Sequence, residues 1–215
     1  MILLEKTQVF NLEGAIRGAR NPMNSWARSD SYYDEADNYV IGENDLTLMK
    51  KLIKAGSDHR KFMRQIFVSV DITAPFYWWK EFDTYKVGTT ANSCSTMHKI
   101  HEKEFTIDDF SHEHLIDEDD ECSESYPVSI EFLKQLVEVL NFYREKFVAT
   151  KNKKYWWQMI QLLSSSYNQK RTVTLNYENL LNMYRARRSH KLDEWRTLCQ
   201  WIEELPYAKE LICDE

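Results

Sequence analysis

Between Ile66 and Ile72 the apolar residues Ile66, Val68, Val70 and Ile72 alternate with Phe67, Ser69 and Asp71, and the alternation ends at Ala74-Pro75. A period of two puts one set of side chains on each face of a β-strand. Thr73 then reads as a helix N-cap with Pro75 in the first turn. The following segment, FYWWKEFDTY, carries apolar residues on nearly every side and predicts a deeply packed helix. A strand that runs into a helix with no linker commits the chain to a mixed fold.

The rest of the sequence adds few strands and many helices. Residues 1–12 alternate weakly, as an edge strand would. Gly14 to Arg20 reads as a short helix stopped by Asn21-Pro22, and the polar, aromatic text onward to Gly42 reads as a loop. Asn44 or Asp45 can cap a helix whose Leu46, Met49, Leu52 and Ile53 share a face and whose stop is Gly56. Ser129 opens the longest helix, with Ile130, Leu133, Leu136, Val137, Leu140 and Phe147 on one stripe. After the basic hinge Lys151 to Lys154, Tyr155 starts a second helix, and the short turn predicts an antiparallel pair. The β-branched RTVTL at 171–175 reads as a strand. Asn176 caps a helix to about Arg187, and a last helix runs from Leu192 to Leu205, before Pro206.

Length and composition narrow the function. At 215 residues one domain, 1–215, is the expectation. A net charge of −6 excludes a general nucleic-acid binder, though not a local basic pocket for one phosphate. Cys94, Cys122, Cys199 and Cys213 lack zinc-ligand spacing, and free thiols fit a cytoplasmic protein. The opening Met1-Ile2-Leu3-Leu4 meets Glu5 and Lys6 at once, unlike a signal peptide, and no apolar run approaches a membrane span. The acidic stretch Glu104 to Glu124 reads as a solvated loop or lid. It lacks the residue order of a calcium loop, so no metal site is expected there. The Trp78-Trp79 and Trp156-Trp157 pairs, among 7 Trp, fit a core or a subunit interface.

Four segments in order resemble the flavin-dependent, complementing-type thymidylate synthases. AIRGARNP is similar to the family's paired-arginine helix, with Arg17 and Arg20 matching. LIKAG precedes a histidine, here His59. The strand, Ala74-Pro75 and the aromatic helix follow. Late in the chain LLSSSYNQKRTVTLNYENLLNMYRARRSH and EWRTLCQWIEEL look like the family's closing segments. The family's signature, Arg-His-Arg, then seven residues, then Ser with Arg two further on, departs here. Its first three positions fall on Thr84-Tyr85-Lys86, then Cys94 and Thr96. A one-residue shift brings Thr90, Asn92 and Ser95 onto the motif's Ser, Asn and Ser. Glu178 stands where many members carry an arginine.

The resemblance implies an α+β fold, a small antiparallel sheet with a long-helix bundle, assembled as a homotetramer. It implies FAD as cofactor, deoxyuridylate as substrate, and folate and NADPH as methylene and hydride sources. His59, Tyr85, Lys86, Thr90, Asn92, Asn176 and Asn182 would contact the cofactor, and Lys86, Ser95 and Arg187 the nucleotide. A nucleotide-binding or structural protein on the same fold, with the chemistry lost, is the alternative. From the residues alone, His59 also suits a surface position beside Asp58 and Arg60. Arg187 also suits an ion pair, and Asn182 a helix-interior hydrogen bond. The run from Gly88 to Ser93 can wrap a phosphate or be a plain loop. Cys94 has no identifiable partner base.

Overall fold

The structure is a computed structural model and describes residues 1–117 and 128–214. In chain order it contains β1 (Leu3–Phe10), α1 (Leu12–Arg20), β2 (Tyr32–Tyr33), β3 (Tyr39–Val40), α2 (Glu43–Lys54), β4 (Phe67–Pro75) and α3 (Phe76–Phe82). There follow β5 (Thr90–Ser93), α4 (Thr96–Lys99), α5 (Ser129–Thr150), α6 (Lys153–Leu162), β6 (Asn168–Asn176), α7 (Tyr177–Arg187) and α8 (Asp193–Glu203). Short 3-10 turns and a C-terminal π-helical turn at Lys209–Cys213 complete the elements. A four-stranded sheet has the order β1-β4-β6-β5, with β1 at one edge, and β2 and β3 pair antiparallel. The chain divides into two compact units.

The first unit comprises Met1–Leu3, Thr73–Thr84 and Asn92–Arg171. In α3, Trp78, Trp79 and Phe82 are buried, as the aromatic text predicts, with Trp78 4.9 Å from Trp79 and 5.0 Å from Phe82 by ring centroids. Thr73 does not cap this helix, because β4 continues through Pro75. The first amides of α3 donate instead to backbone carbonyls, Phe76 to Tyr167 at 3.1 Å and Tyr77 to Ser165 at 3.0 Å. Backbone partners answer the orphan donors of a helix start as well as a side chain does. Five of the six stripe residues on α5 face one cluster: Leu133 and Leu140 are buried, and Leu136, Val137 and Phe147 pack against them with Trp156 and Ile160 of α6. Lys151, at φ 54°, turns the chain between the two helices.

The front of the acidic stretch belongs to this core and is no solvated lid. Phe105 and Phe110 are buried in it, and the Asn141 side chain grips the Phe105 backbone at both N–H (2.8 Å) and C=O (2.9 Å). The rest of that stretch, 118–124, and Cys122 lie outside the described residues.

The second unit comprises Leu4–Ile72, Tyr85–Ala91 and Thr172–Glu215. Ile66, Val68, Val70 and Ile72 are all buried, the face that the alternation assigns to the interior. The segment 22–42, read as a loop, contains a short hairpin, Tyr32–Tyr33 against Tyr39–Val40, with turns and irregular chain around it, and Asp45 fixes its path. Asp45 is not the cap, which is Gly42: it lies in the first turn of α2, fully buried. Its Oδ1 accepts from the buried Arg20 Nε at 2.5 Å. Its Oδ2 accepts from the Ser29 and Ser31 hydroxyls at 2.7 and 2.6 Å and from the amides of Asp30 and Ser31 at 3.2 and 3.1 Å. Asp30 in turn accepts from the amides of Asn44 and Asp45, which opens α2. Burial alone raises the Asp45 carboxyl, but the donors from Ser31, Ser29 and Arg20 outweigh it and hold the group below the usual carboxylate range.

A depressed carboxyl stabilises the fold above its unfolded value, ~3.9, and loses that contribution as pH falls through its folded value. Replacing Asp45 with Asn leaves Arg20 buried without its counter-ion, and urea unfolding at pH 7 will show a loss of about 3–5 kcal/mol. The gap between wild type and D45N will begin to narrow below ~3.9, where the unfolded carboxyl protonates, and will close only as pH falls through the lower folded value of Asp45.

Candidate functional site

Most of the residues singled out in the sequence fall in the second unit, around the turn that follows Tyr85. Two asparagines at the start of α7 form a reciprocal cap: Asn176 Oδ1 accepts from the Asn179 amide at 3.0 Å, and Asn179 Oδ1 from the Asn176 amide at 3.2 Å. Asn179 Nδ2 also donates to the Val87 carbonyl at 2.7 Å, which holds the turn on the cap. Gly88 sits directly against it at φ +76°. A Cβ there would meet Asn176 Nδ2 at 2.8 Å and Asn179 Oδ1 at 3.0 Å. Both the backbone angle and the contact require glycine. The next side chain, Thr89, has a buried hydroxyl with no hydrogen-bond partner among the described residues.

At the other end of α7, Arg187 Nε donates to the Tyr85 hydroxyl at 3.0 Å. The Arg187 guanidinium carbon lies 4.6 Å from the Trp195 ring centroid and 5.8 Å from that of Tyr85. Tyr85 and His190 both meet Trp195 edge to face, at 5.9 and 6.2 Å. A cation over an indole face is attracted to its quadrupole, and a planar guanidinium so held keeps a fixed orientation. The structure therefore brings Tyr85 together with Arg187, and Asn176 together with the Val87-Gly88 turn.

The other residues of this unit stand apart in character. Lys86, Thr90 and Asn182 are exposed. His59 is an exposed turn residue whose amide donates to the Gly56 carbonyl at 3.0 Å. Neither of two cavities in this unit, one lined by Trp26 and Tyr32 and the other by Asn11 and Tyr207, takes in Lys86, Asn182 or Arg187. Glu178 is gripped by Arg60 Nε at 3.0 Å and by Arg64. Burial works against its charge, yet the bonds from Arg64 and Arg60 hold the carboxyl below the usual range. The Glu178 carboxylate thus engages two arginines.

In the first unit, Ser95 lines a cavity of about 420 Å³ with Cys94, Lys99, Lys103, Tyr167 and Lys170. Its hydroxyl accepts from the His98 amide at 3.2 Å and caps the short α4. Lys99 and Lys103 face Glu102 and Asp109 at 2.5 and 2.6 Å, so the rim is balanced in charge. Burial, helped by Asp109 and Cys94, pushes the Tyr167 phenol up to about 12, which keeps it a neutral donor at physiological pH. Gln169 Nε2 donates to the Cys94 carbonyl at 2.8 Å, and the Cys94 amide to the Lys170 carbonyl at 2.9 Å. Asn92 is exposed in β5, so residues 90–93 form a strand and not the loop read from their composition.

Sequence reasoning missed Trp195, Asn179 and Tyr167. Asn176 followed three residues later by Asn179 was a legible capping signal. Nothing local marked Trp195 as the platform for Arg187.

No protein-family model matches the chain, and no curated protein matches it. Solved structures do. Thymidylate synthase X from Helicobacter pylori, crystallised with FAD and dUMP, superposes with a TM-score of 0.68 at 16% identity, covering 100% of this chain and 98% of that one. A second structure, the flavin-dependent thymidylate synthase of Helicobacter pylori complexed with FAD and dUMP, gives 0.67 at 15% identity over 99% and 98%. The chain is an α+β protein with the fold of these enzymes.

Gly88→Ala forces an L-residue into the left-handed region and displaces the asparagine cap. Chemical denaturation will register a loss of about 2 kcal/mol or more. Asn179→Ala, which removes the cap and the bond to Val87, will cost about 1–2 kcal/mol. An unchanged midpoint for Gly88→Ala would contradict the turn geometry.

Proposed function

We propose that this protein binds FAD and a deoxyuridylate-like nucleotide, as a divergent relative of the flavin-dependent thymidylate synthases. The observation that supports this above all is the end-to-end likeness of fold to an enzyme whose structure holds both ligands, over 100% of this chain and 98% of that one. Within the chain, the donor set suits phosphate-bearing ligands. Arg187 is oriented by Trp195 and Tyr85, Lys86 adds an exposed charge, and the Thr89 hydroxyl is buried without a protein partner among the described residues. Lys86, Thr90, Asn92, Asn176, Asn182, Tyr85 and His59 are the cofactor-side residues of this proposal, and Lys86, Ser95 and Arg187 the nucleotide-side residues. The fold's assembly as a homotetramer, with folate and NADPH as co-substrates, belongs to the same proposal.

FAD, when bound, supplies the hydride chemistry; the chain binds and orients. Arg187 can present the edge of its guanidinium while its face rests on Trp195, and Tyr85 fixes that edge by accepting from Nε. A braced arginine loses less freedom on binding than an unbraced one.

A catalytically silent nucleotide-binding protein is the second reading, and one observation favours it. Thr84-Tyr85-Lys86 replaces Arg-His-Arg, and Glu178 engages Arg60 and Arg64. Each lost charge-assisted bond is worth about 1.5–3 kcal/mol, so losing two or three weakens a nucleotide about 10²-fold or more.

An absorbance spectrum of the purified protein, before and after incubation with FAD, tests the proposal. Flavin bands that stay with the protein, and a rise in melting temperature with dUMP, are expected. Arg187→Ala is expected to weaken dUMP at least tenfold. Colourless protein with no dUMP-dependent shift would end it. A dUMP shift without flavin or turnover would select the silent binder, and light scattering checks the tetramer.

A further inference from the structure

The second unit carries another cleft, built by the hairpin. Trp26, Tyr32, Tyr33 and Tyr39 wall a cavity of about 370 Å³, beside a second of about 530 Å³ reached by Asn11, Asp37 and Asn38. Glu13, Arg17, Tyr33 and Tyr39 line both, so the two cavities meet along one ridge. Together they have the size of a small-molecule site. None of Lys86, Asn182, Arg187 or Ser95 lines either one.

The aromatic walls are half exposed, and three of them, Trp26, Tyr33 and Tyr39, are tied to the protein by hydrogen bonds or ring contacts. Trp26, Tyr32 and Tyr33 are 51%, 58% and 53% exposed. Trp26 Nε1 donates to Asn21 Oδ1 at 2.8 Å and the Tyr33 hydroxyl to Glu13 Oε2 at 2.9 Å, while Tyr33 meets Tyr39 edge to face at 5.1 Å. The Asp45 carboxylate fixes the hairpin base through Ser29 and Ser31. Asn11, Asp37 and Tyr207, all lining the second cavity, hold left-handed backbone at φ 68°, 63° and 56°. For a residue as bulky as Tyr207 that conformation is a true outlier, kept in place by its hydroxyl, which accepts from the Ile41 amide at 2.8 Å.

Charge decides between ligand classes. Tyrosine and tryptophan faces accept a flat base or an organic cation equally well. A cation stacked on Trp26 and Tyr32 needs a carboxylate in the same cavity; Asp37 lines only the second one, and Glu13 accepts from Tyr33 with one oxygen and has the positive Arg17 guanidinium beside the other, which repels a second cation. Arg20 is buried against Asp45. Arg17, whose side chain is 67% exposed, reaches Glu13 only at 3.4 Å and stands on the ridge between the cavities. An exposed pair this long holds its arginine weakly. We propose that this cleft binds a nucleoside monophosphate. Its base stacks on Trp26 and Tyr32, its phosphate takes the Arg17 guanidinium, and its sugar hydroxyls face the carboxylate and amide of Asp37 and Asn38.

Titration of the full-length protein with AMP, adenosine and tetramethylammonium, followed by calorimetry and tryptophan fluorescence, tests this. AMP is expected to saturate, adenosine to bind at least tenfold more weakly, and tetramethylammonium not to bind. Trp26→Ala and, separately, Tyr32→Ala should each weaken AMP at least tenfold. The pair guards against one variant misfolding, and melting curves identify which variants are folded. Arg17→Ala should erase the preference for AMP over adenosine. The dUMP response of both aromatic variants should stay at the wild-type level, which separates this cleft from the flavin and nucleotide site. No saturable AMP binding, AMP binding that survives both aromatic substitutions, or displacement of AMP by tetramethylammonium would each overturn the proposal.

Discussion

A buried carboxylate must recover from the protein the hydrogen bonds it gave up in water. Asp45 recovers them from five donors: a guanidinium, two hydroxyls and two amides. Because those donors come from α1, from the segment after it and from the approach to the hairpin, one ionised group fixes the path of the chain from Arg20 to α2. The opening of α2 follows, since Asp30, held in place by its own amide, receives the first helical N–H groups. The aromatic hairpin and its cleft exist only as far as that network holds.

A second constraint shapes the turn after Tyr85. Asn176 and Asn179 satisfy each other's amides, and the amide left over on Asn179 clamps Val87. Gly88 then passes the cap at a distance no side chain tolerates. Eleven residues of helix later, Arg187 lies across Trp195 and reaches Tyr85. One helix therefore meets Tyr85 at one of its ends and the Val87-Gly88 turn at the other.

The alternating strand, the buried aromatic helix, the stripe of α5 and the Asn176 cap were all legible, because each rests on periodicity or on a partner three or four residues away. The resemblance carried by four weak segments led to the fold that the solved structures confirm at 15–16% identity. What misled was local polarity. Residues 32–40 and 90–93 looked like loops because Ser, Asn, Thr and Asp favour turns. Yet Tyr32–Tyr33 and Tyr39–Val40 pair with each other across a short turn, and Thr90–Ser93 pairs with β6 from far along the chain. Asp45 looked like a cap because it stands near a helix start, and Glu104 to Glu113 looked like a solvated lid because the acids outnumber Phe105 and Phe110.

The sequence by itself determined which residues alternate, which helices carry an apolar stripe, and that Asn176 caps a helix. Tertiary structure alone decided that Asp45 is buried, that Glu178 draws in Arg60 and Arg64, and that Trp195 receives Arg187. The physical reason is separation along the chain. Periodicity and capping act over one or two turns, whereas the partners of these charges lie 25, 118 and 114 residues away in the ion pairs of Asp45 and Glu178, and only a folded core brings them within reach of a hydrogen bond.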